Sequence, residues 1–505
     1  MEVMAIIETK TGKLQGYSEK GVEVYKGIPY AEPPIGDLRF LPPVAKEPWD
    51  GVLDATKYGP CSFQGYNQFA DWYEKLEPES EDCLTLNIWT PGADDEKRPV
   101  LFWIHGGGFT AGGGKQEFTE GLALAKRGNV VVVTINYRLG LLGFSYIPDV
   151  TINAGILDQA LALKWVHDNI EAFGGDPKNI TIFGASAGGY SVLMLPVMPQ
   201  AKGLIRRVIA ESAPRINSEV SDKSTRAVMR KLKIKKGDIE SLRKIPPERI
   251  IEAQNEYVES DPTNLIAFRP LIDGNTIPKH PLKAFQDGDL KNIDFLIGTT
   301  LNEAKILVSL DPRMNEMVKA AGENAILALL GTTGLDMNKR REIIDIYKSA
   351  RRGKFPIQPI DLLDAVGTDS LIRIPTIRLL EAQSKHQPNT FNYMFNFTCP
   401  LFDGALGCPH ALEVPFVFNT LTATGIPKLI GQGPDIENLS EKMMNAWIAF
   451  AHTGNPNHAG IPEWTSYDSI NRATMCFGKE IKIVNAIFDE ERKAWDGISS
   501  DLFEI

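Results

Sequence analysis

The chain has 505 residues, 43% of them apolar and 23% charged, and a formal net charge of −10. This is the composition of an ordinary globular protein, which excludes a largely disordered chain, and the acidic balance argues against nucleic acid or an anionic membrane surface as a partner. No run approaches the ~20 consecutive apolar residues of a membrane-spanning helix, and length alone would allow two or three domains.

Met1 to Gly16 lacks a basic start followed by a continuous apolar core, so no secretory leader is visible. It alternates as a strand does, through Val3, Ala5 and Ile7, before a turn at Thr11-Gly12. Five cysteines, an odd number, suggest no disulfide scaffold, and the expected location is the cytoplasm. From residue 84 to about 213, short β-rich runs alternate with helical patterns. The runs are Leu84–Trp89, Val100–His105, Val130–Ile135, Ile180–Phe183 and Val208–Glu211. Several are apolar at nearly every position, as in strands covered on both faces of a mostly parallel sheet. Between them, Leu157, Leu161 and Trp165 give Ala154–Phe173 a helical period, and Gly174-Gly175 ends it.

Residues 218 to 260 read as charged helix, and the basic run Lys231 to Lys236 as a solvated face. Residues 310 to 385 also read as helix, with a strand at Phe295–Gly298 before them and another at Phe391–Phe397 after them. The expected fold is therefore α/β: a central, mostly parallel sheet with helices on both faces. With no internal repeat or low-complexity linker, a single domain is preferred, carrying helical cap insertions at about 214–290 and 310–390.

The most informative segment is Gly184-Ala185-Ser186-Ala187-Gly188, directly after the strand Ile180–Phe183. It fits the G-x-S-x-G nucleophile elbow, in which glycines make room for a strand-to-helix turn too tight for side chains. The strand Val100–His105 runs into Gly106-Gly107-Gly108. A glycine loop in that place lets backbone N–H groups approach a substrate oxygen, each donor worth ~3–4 kcal/mol in the transition state. A phosphate loop would need Ser or Thr after Gly114-Lys115, where this chain has Gln116.

A serine nucleophile needs a base, and the base needs a carboxylate to orient it. Four of the seven histidines lie beyond residue 300. His386 and His458 sit in polar loops, and His452 ends an apolar helix. His410 sits in the loop after a late strand, the position expected for the base in the order Ser, acid, His. For the acid, Glu303 stands just beyond the strand Phe295–Gly298 and leads over Asp273, which reads as a turn residue. Asp403 is too near His410 in sequence to come from a separate strand.

With these residues in hand, the chain resembles the type B carboxylesterases, enzymes of the α/β-hydrolase fold that include cholinesterases and para-nitrobenzyl esterases. The matches run nearly end to end. They include Gly27–Ala31, Arg39-Phe40, Ser80–Asn87, Trp103–Phe109 and Asn136–Gly140. Asp158-Gln159, Phe173–Pro177, the elbow, Asn302-Glu303, His410 with Phe416–Phe418, and Thr453–Pro456 complete them. The resemblance implies Ser186, Glu303 and His410 as the triad, and the backbone N–H groups of Gly107, Gly108 and Ala187 as the oxyanion hole. It implies a carboxylic ester hydrolase acting through an acyl-enzyme, with no metal or organic cofactor.

Two departures bear on specificity. Where the family usually has glutamate before the nucleophile, this chain has Ala185, which points away from cationic esters towards uncharged ones of small to medium size. The family often links two cysteines around the loop that here runs from Cys61 to Cys83, and a reducing cytoplasm would leave them as thiols. Trp72 and Tyr73, in that loop, are candidates to line the substrate path. The partner is a small-molecule ester, with no nucleic acid or membrane, and the chain is expected to be a monomer or weak homo-oligomer. Two alternatives share the fold: an inactive binding or adhesion module, disfavoured because all three triad residues are present, and a lipase or amidase with the same machinery.

Overall fold

A computed structural model describes residues 2–65, 75–216, 218–261, 264–306 and 312–499, with side chains described outside 2–5 and 312–314. Its described strands are β1 (Glu2–Thr9), β2 (Gly12–Glu19), β3 (Val22–Pro29), β4 (Val52–Asp54), β5 (Thr85–Thr90), β6 (Arg98–Ile104) and β7 (Val131–Ile135). They continue with β8 (Gly175–Ala185), β9 (Arg207–Glu211), β10 (Asp294–Thr300), β11 (Thr390–Phe395), β12 (Thr474–Phe477) and β13 (Lys482–Val484). These thirteen form one sheet in the order β1-β2-β3-β5-β7-β6-β8-β9-β10-β11-β12-β13, with β4 beside β2. The run from β7 through β6 and β8 to β12 is parallel. Both margins are antiparallel: β1, β2, β3 and β5 on one side, β13 on the other.

The reason for the central parallel block is legible in its side chains. Strands β6, β7, β9, β10 and β11 are buried along their whole length. Alternate residues feed two cores, as period-2 geometry requires. Val100, Phe102, Ile104, Val131 and Val133 pack with the helices Ala154–Asn169 and Ala187–Met194. Leu101, Trp103, Val132 and Phe183 pack on the other face with Met443, Trp447 and Phe450 of the helix Pro434–Thr453. This is an α/β-hydrolase sheet with helices on both faces. Among the described residues, no helix is long and apolar enough to cross a membrane.

Three expectations need correction. The basic run is not a helical face: the helix Lys223–Lys231 ends as the run begins, and Lys233 turns in the left-handed region at φ 58°. Lys231 pairs with Glu256 and Lys236 with Asp222, so the charges are matched locally. The helix expected to reach Phe173 is α-helical only to Asn169 and tightens to a 3-10 turn over Ile170–Phe173. The last long strand stops at Phe395 rather than Phe397, because its neighbour β12 ends opposite it at Phe477.

Candidate active site

Parallel strands present their C-terminal ends on one edge of a sheet, and in open α/β folds that edge carries the ligand. Strands β8, β9 and β10 are adjacent, and β8 delivers Ser186, β9 Ser212, and β10 the loop to Glu303. Ser186 has φ 58° and ψ −122°, a costly conformation for a residue with a Cβ. Two hydrogen bonds hold it there: its N–H donates to Glu211 O at 2.9 Å, and its carbonyl accepts Tyr190 N–H at 2.8 Å. The glycine requirement is steric, since a Cβ at Gly188 would lie 2.0 Å from Ile104 O.

The glycine loop arrives beside the serine. A Cβ at Gly106 would stand 3.1 Å from Ser186 Cβ and 2.7 Å from Ala185 O. Gly107, Gly108 and Phe109 follow with φ of 108°, 62° and 61°. Among the described residues, no acceptor takes the N–H of Gly107, Gly108 or Ala187. His105, just before the loop, is no rival base. It stacks on Tyr137 at 4.3 Å, Nδ1 lies 2.8 Å from Gly106 O, and burial pushes its pKa down to about 4.

Glu303 and His410 meet directly, with Nδ1 2.6 Å from Oε2. Their loops are stitched together: Asn302 N–H donates to Cys408 O, and Cys408 N–H to Asn302 Oδ1, each at 3.0 Å. The other oxygen of Glu303 accepts Ser212 Oγ–H at 2.6 Å and Thr300 N–H at 2.5 Å. The remaining late histidines meet backbone groups rather than a carboxylate: His386 bonds to Gln286 O, His452 to Gly128 O, and His458 to Lys442 O while accepting Gly460 N–H. Asp273 Oδ1 accepts the N–H groups of Asn275 and Ile277, a turn as expected.

Burial drives the His410 pKa down, but the Glu303 charge and hydrogen bond, helped by the Glu413 charge, outweigh it and leave the value raised. Among the described residues, no hydrogen bond joins Ser186 Oγ to the imidazole. Such contacts commonly tighten only with substrate bound. Trp72 and Tyr73 lie outside the described residues. Cys83 is a free buried thiol whose pKa is raised by that burial.

Sequence reasoning missed a second layer. Ser212 Oγ sits between Glu303 and Glu413, at 2.6 and 3.3 Å. Glu413 Oε1 also accepts Tyr393 O–H at 3.1 Å, and burial followed by the Glu303 charge pushes its pKa up to about 7. Glu211, behind the serine, accepts Trp447 Nε1–H at 2.8 Å, and burial raises its pKa strongly. Signals existed: Ser212 directly follows a buried strand, and Glu413 is three residues from His410. Neither has meaning until the strands are ordered.

The family model described as the carboxylesterase family matches residues 4–495. The chain belongs to the carboxylesterase family. It is 35% identical to the para-nitrobenzyl esterase of Bacillus subtilis (strain 168), over 97% of this chain and 98% of that protein. It is 36% identical to the phenmedipham hydrolase of Pseudarthrobacter oxydans, over 94% and 95%. The solved structure of the Geobacillus stearothermophilus carboxylesterase EST55 superposes with a TM-score of 0.86 at 37% identity, covering 98% of this chain and all of that one. The type B resemblance and the α/β-hydrolase fold are thus borne out, and this carboxylesterase is a serine carboxylic ester hydrolase; the inactive binding module is not favoured.

Proposed function

We propose that this carboxylesterase hydrolyses small to medium, uncharged carboxylic esters through an acyl-enzyme on Ser186, with His410 as base and Glu303 as its orienting acid. The observation that carries this is the 2.6 Å Glu303–His410 pair on the strand edge that also bears the left-handed Ser186 elbow. His410 removes the Ser186 proton as Oγ attacks the ester carbonyl. The carbonyl oxygen gains the negative charge against the N–H groups of Gly107, Gly108 and Ala187, which have no other acceptor among the described residues. The C–O bond to the alcohol breaks as His410 returns the proton to it. Water then attacks the acyl-enzyme by the same route, releasing the acid and restoring Ser186. Glu303 keeps Nδ1 protonated and the ring aimed at the serine.

Preference for uncharged esters is supported by Ala185, a buried apolar residue directly before the nucleophile candidate, where the family usually carries a carboxylate. The name of one relative, a para-nitrobenzyl esterase, fits an ester with a compact aromatic group. The helical stretches between β9 and β10 and between β10 and β11 we read as caps on one domain, since both leave and rejoin the same sheet. A cytoplasmic location is supported by the buried cysteines, with Cys83 a thiol. A para-nitrophenyl ester series from acetate to palmitate tests the substrate class. The expected optimum lies at short chains, without activation at a lipid interface. A long-chain optimum with interfacial activation would make the protein a lipase instead.

A further inference from the structure

Gly107, Gly108 and Phe109 all have positive φ, a shape the two glycines adopt freely but that local preference does not hold at Phe109. Phe109 is not glycine and is fully buried. The loop must be held by its surroundings, and the hydrogen bonds show by what. Phe109 O accepts Gly140 N–H at 2.7 Å, and Thr110 O accepts Gly65 N–H at 2.6 Å. Gly112 is bracketed by the Gln64 amide, N–H to Oε1 at 2.7 Å and O from Nε2 at 3.1 Å.

Between those two donor glycines stands one side chain from the cap, Gln254 on the helix Pro247–Glu259. It is fully buried. Its Oε1 accepts Leu141 N–H at 2.7 Å, the residue after Gly140. A Cβ at Gly140 would lie 2.1 Å from Gln254 Oε1, and one at Gly65 2.4 Å from Nε2. Both glycines therefore make room for this amide. Its Nε2 finds no acceptor among the described residues. One bond made against one buried donor left open is little gain in stability, so stability alone does not account for an amide here.

We propose that Gln254 is a positioning residue: it fixes the Gly65 and Gly140 segments whose N–H groups hold the carbonyls of Phe109 and Thr110, and so sets where Gly107 and Gly108 aim their amides. This rests on the reading of that loop as the oxyanion hole. Gln254 is fully buried and acts through the loop, which makes the cap helix a determinant of transition-state binding.

The test compares Gln254→Leu, which keeps the bulk but loses the acceptor, with Gln254→Glu, whose buried neutral carboxyl retains one. For the leucine variant kcat should fall about 10–100-fold, less than deleting an oxyanion donor outright, with KM within about twofold. A trifluoromethyl ketone, which forms an oxyanion on the nucleophile, should weaken by the same factor as kcat, while the product alcohol binds as before. The glutamate variant should recover most of the loss. A folded leucine variant with unaltered kcat and ketone affinity, or one impaired only in KM, would overturn the proposal. If the leucine variant does not fold, Gly65→Ala should give the same kcat-selective loss. In the unaltered enzyme the Leu141 amide must exchange slowly with solvent, and fast exchange there would equally refute the bond. Wild-type turnover in Ser186→Ala would instead sink the underlying reading, whereas an inactive Ser186→Ala beside an unimpaired Gln254→Leu sinks only the role of Gln254.

Discussion

A carboxylate held by an imidazole, a hydroxyl and a backbone amide has few ways to turn, and Glu303 is in that position. With Glu303 as the proposed orienting acid, Glu303→Gln should lower kcat by roughly 10⁴ because the wrong imidazole tautomer is favoured. Ser186→Ala should lower it by about 10⁴–10⁶ with the fold retained; steady-state kinetics beside thermal unfolding checks both. The pH profile follows from the raised His410 pKa. With His410 as the proposed base, turnover needs the neutral ring, so the acid limb of kcat/KM should fall above 6.5. Glu413→Gln removes a charge that raises His410 and should move the limb down. The same variant carries a stability signature. The Glu413 carboxyl ionises near 4.5 when unfolded but resists to about 7 when folded, so it costs native stability progressively as pH rises between those values. Urea midpoints of Glu413→Gln should therefore gain on wild type from about pH 5 to 8, and a constant difference would contradict the assignment. Ser186, Glu303 and His410 could be picked out as candidates because each follows a recognisable strand in the order expected of such a triad. Ser212, Glu413 and Gln254 could not be, because each is joined to the site by a partner 91 to 201 residues away.

At the scale of elements, the strands that matter are those buried on both faces, and their unbroken apolar runs made them readable to within a residue or two. Ends were less readable, because a strand stops where its neighbour does, as at Phe395 against Phe477. What holds the elements beneath the site is partly ionic. Arg138, after β7, forms a two-bond pair with Asp158 on the helix Ala154–Asn169, Nε to Oδ2 at 2.8 Å and Nη2 to Oδ1 at 2.6 Å. Both are almost fully buried, and Arg138 Nη1 also donates to Leu41 O at 2.8 Å. Removing one partner strands a buried charge, at a cost of about 3–5 kcal/mol. Asp158→Ala should show that loss in urea unfolding, while the fraction that stays folded keeps its KM. A loss below about 1 kcal/mol would mean that water reaches the pair.

Across the whole molecule, one sheet gathers residues from 105 to 413 at the C-terminal ends of adjacent strands, and the proposed function rests on this gathering. Alternation of strand and helix announced the parallel centre. The antiparallel margins were not announced, since nothing in β1 to β5 states which neighbour each will choose. In the proposed mechanism Ser186 is the group that attacks, and covalent capture addresses that alone. A fluorophosphonate should label the native enzyme once, with peptide mass spectrometry placing the adduct on Ser186 and the label absent from Ser186→Ala and from heat-unfolded protein. An adduct on another residue, or full turnover with Ser186 unmodified, would contradict the account.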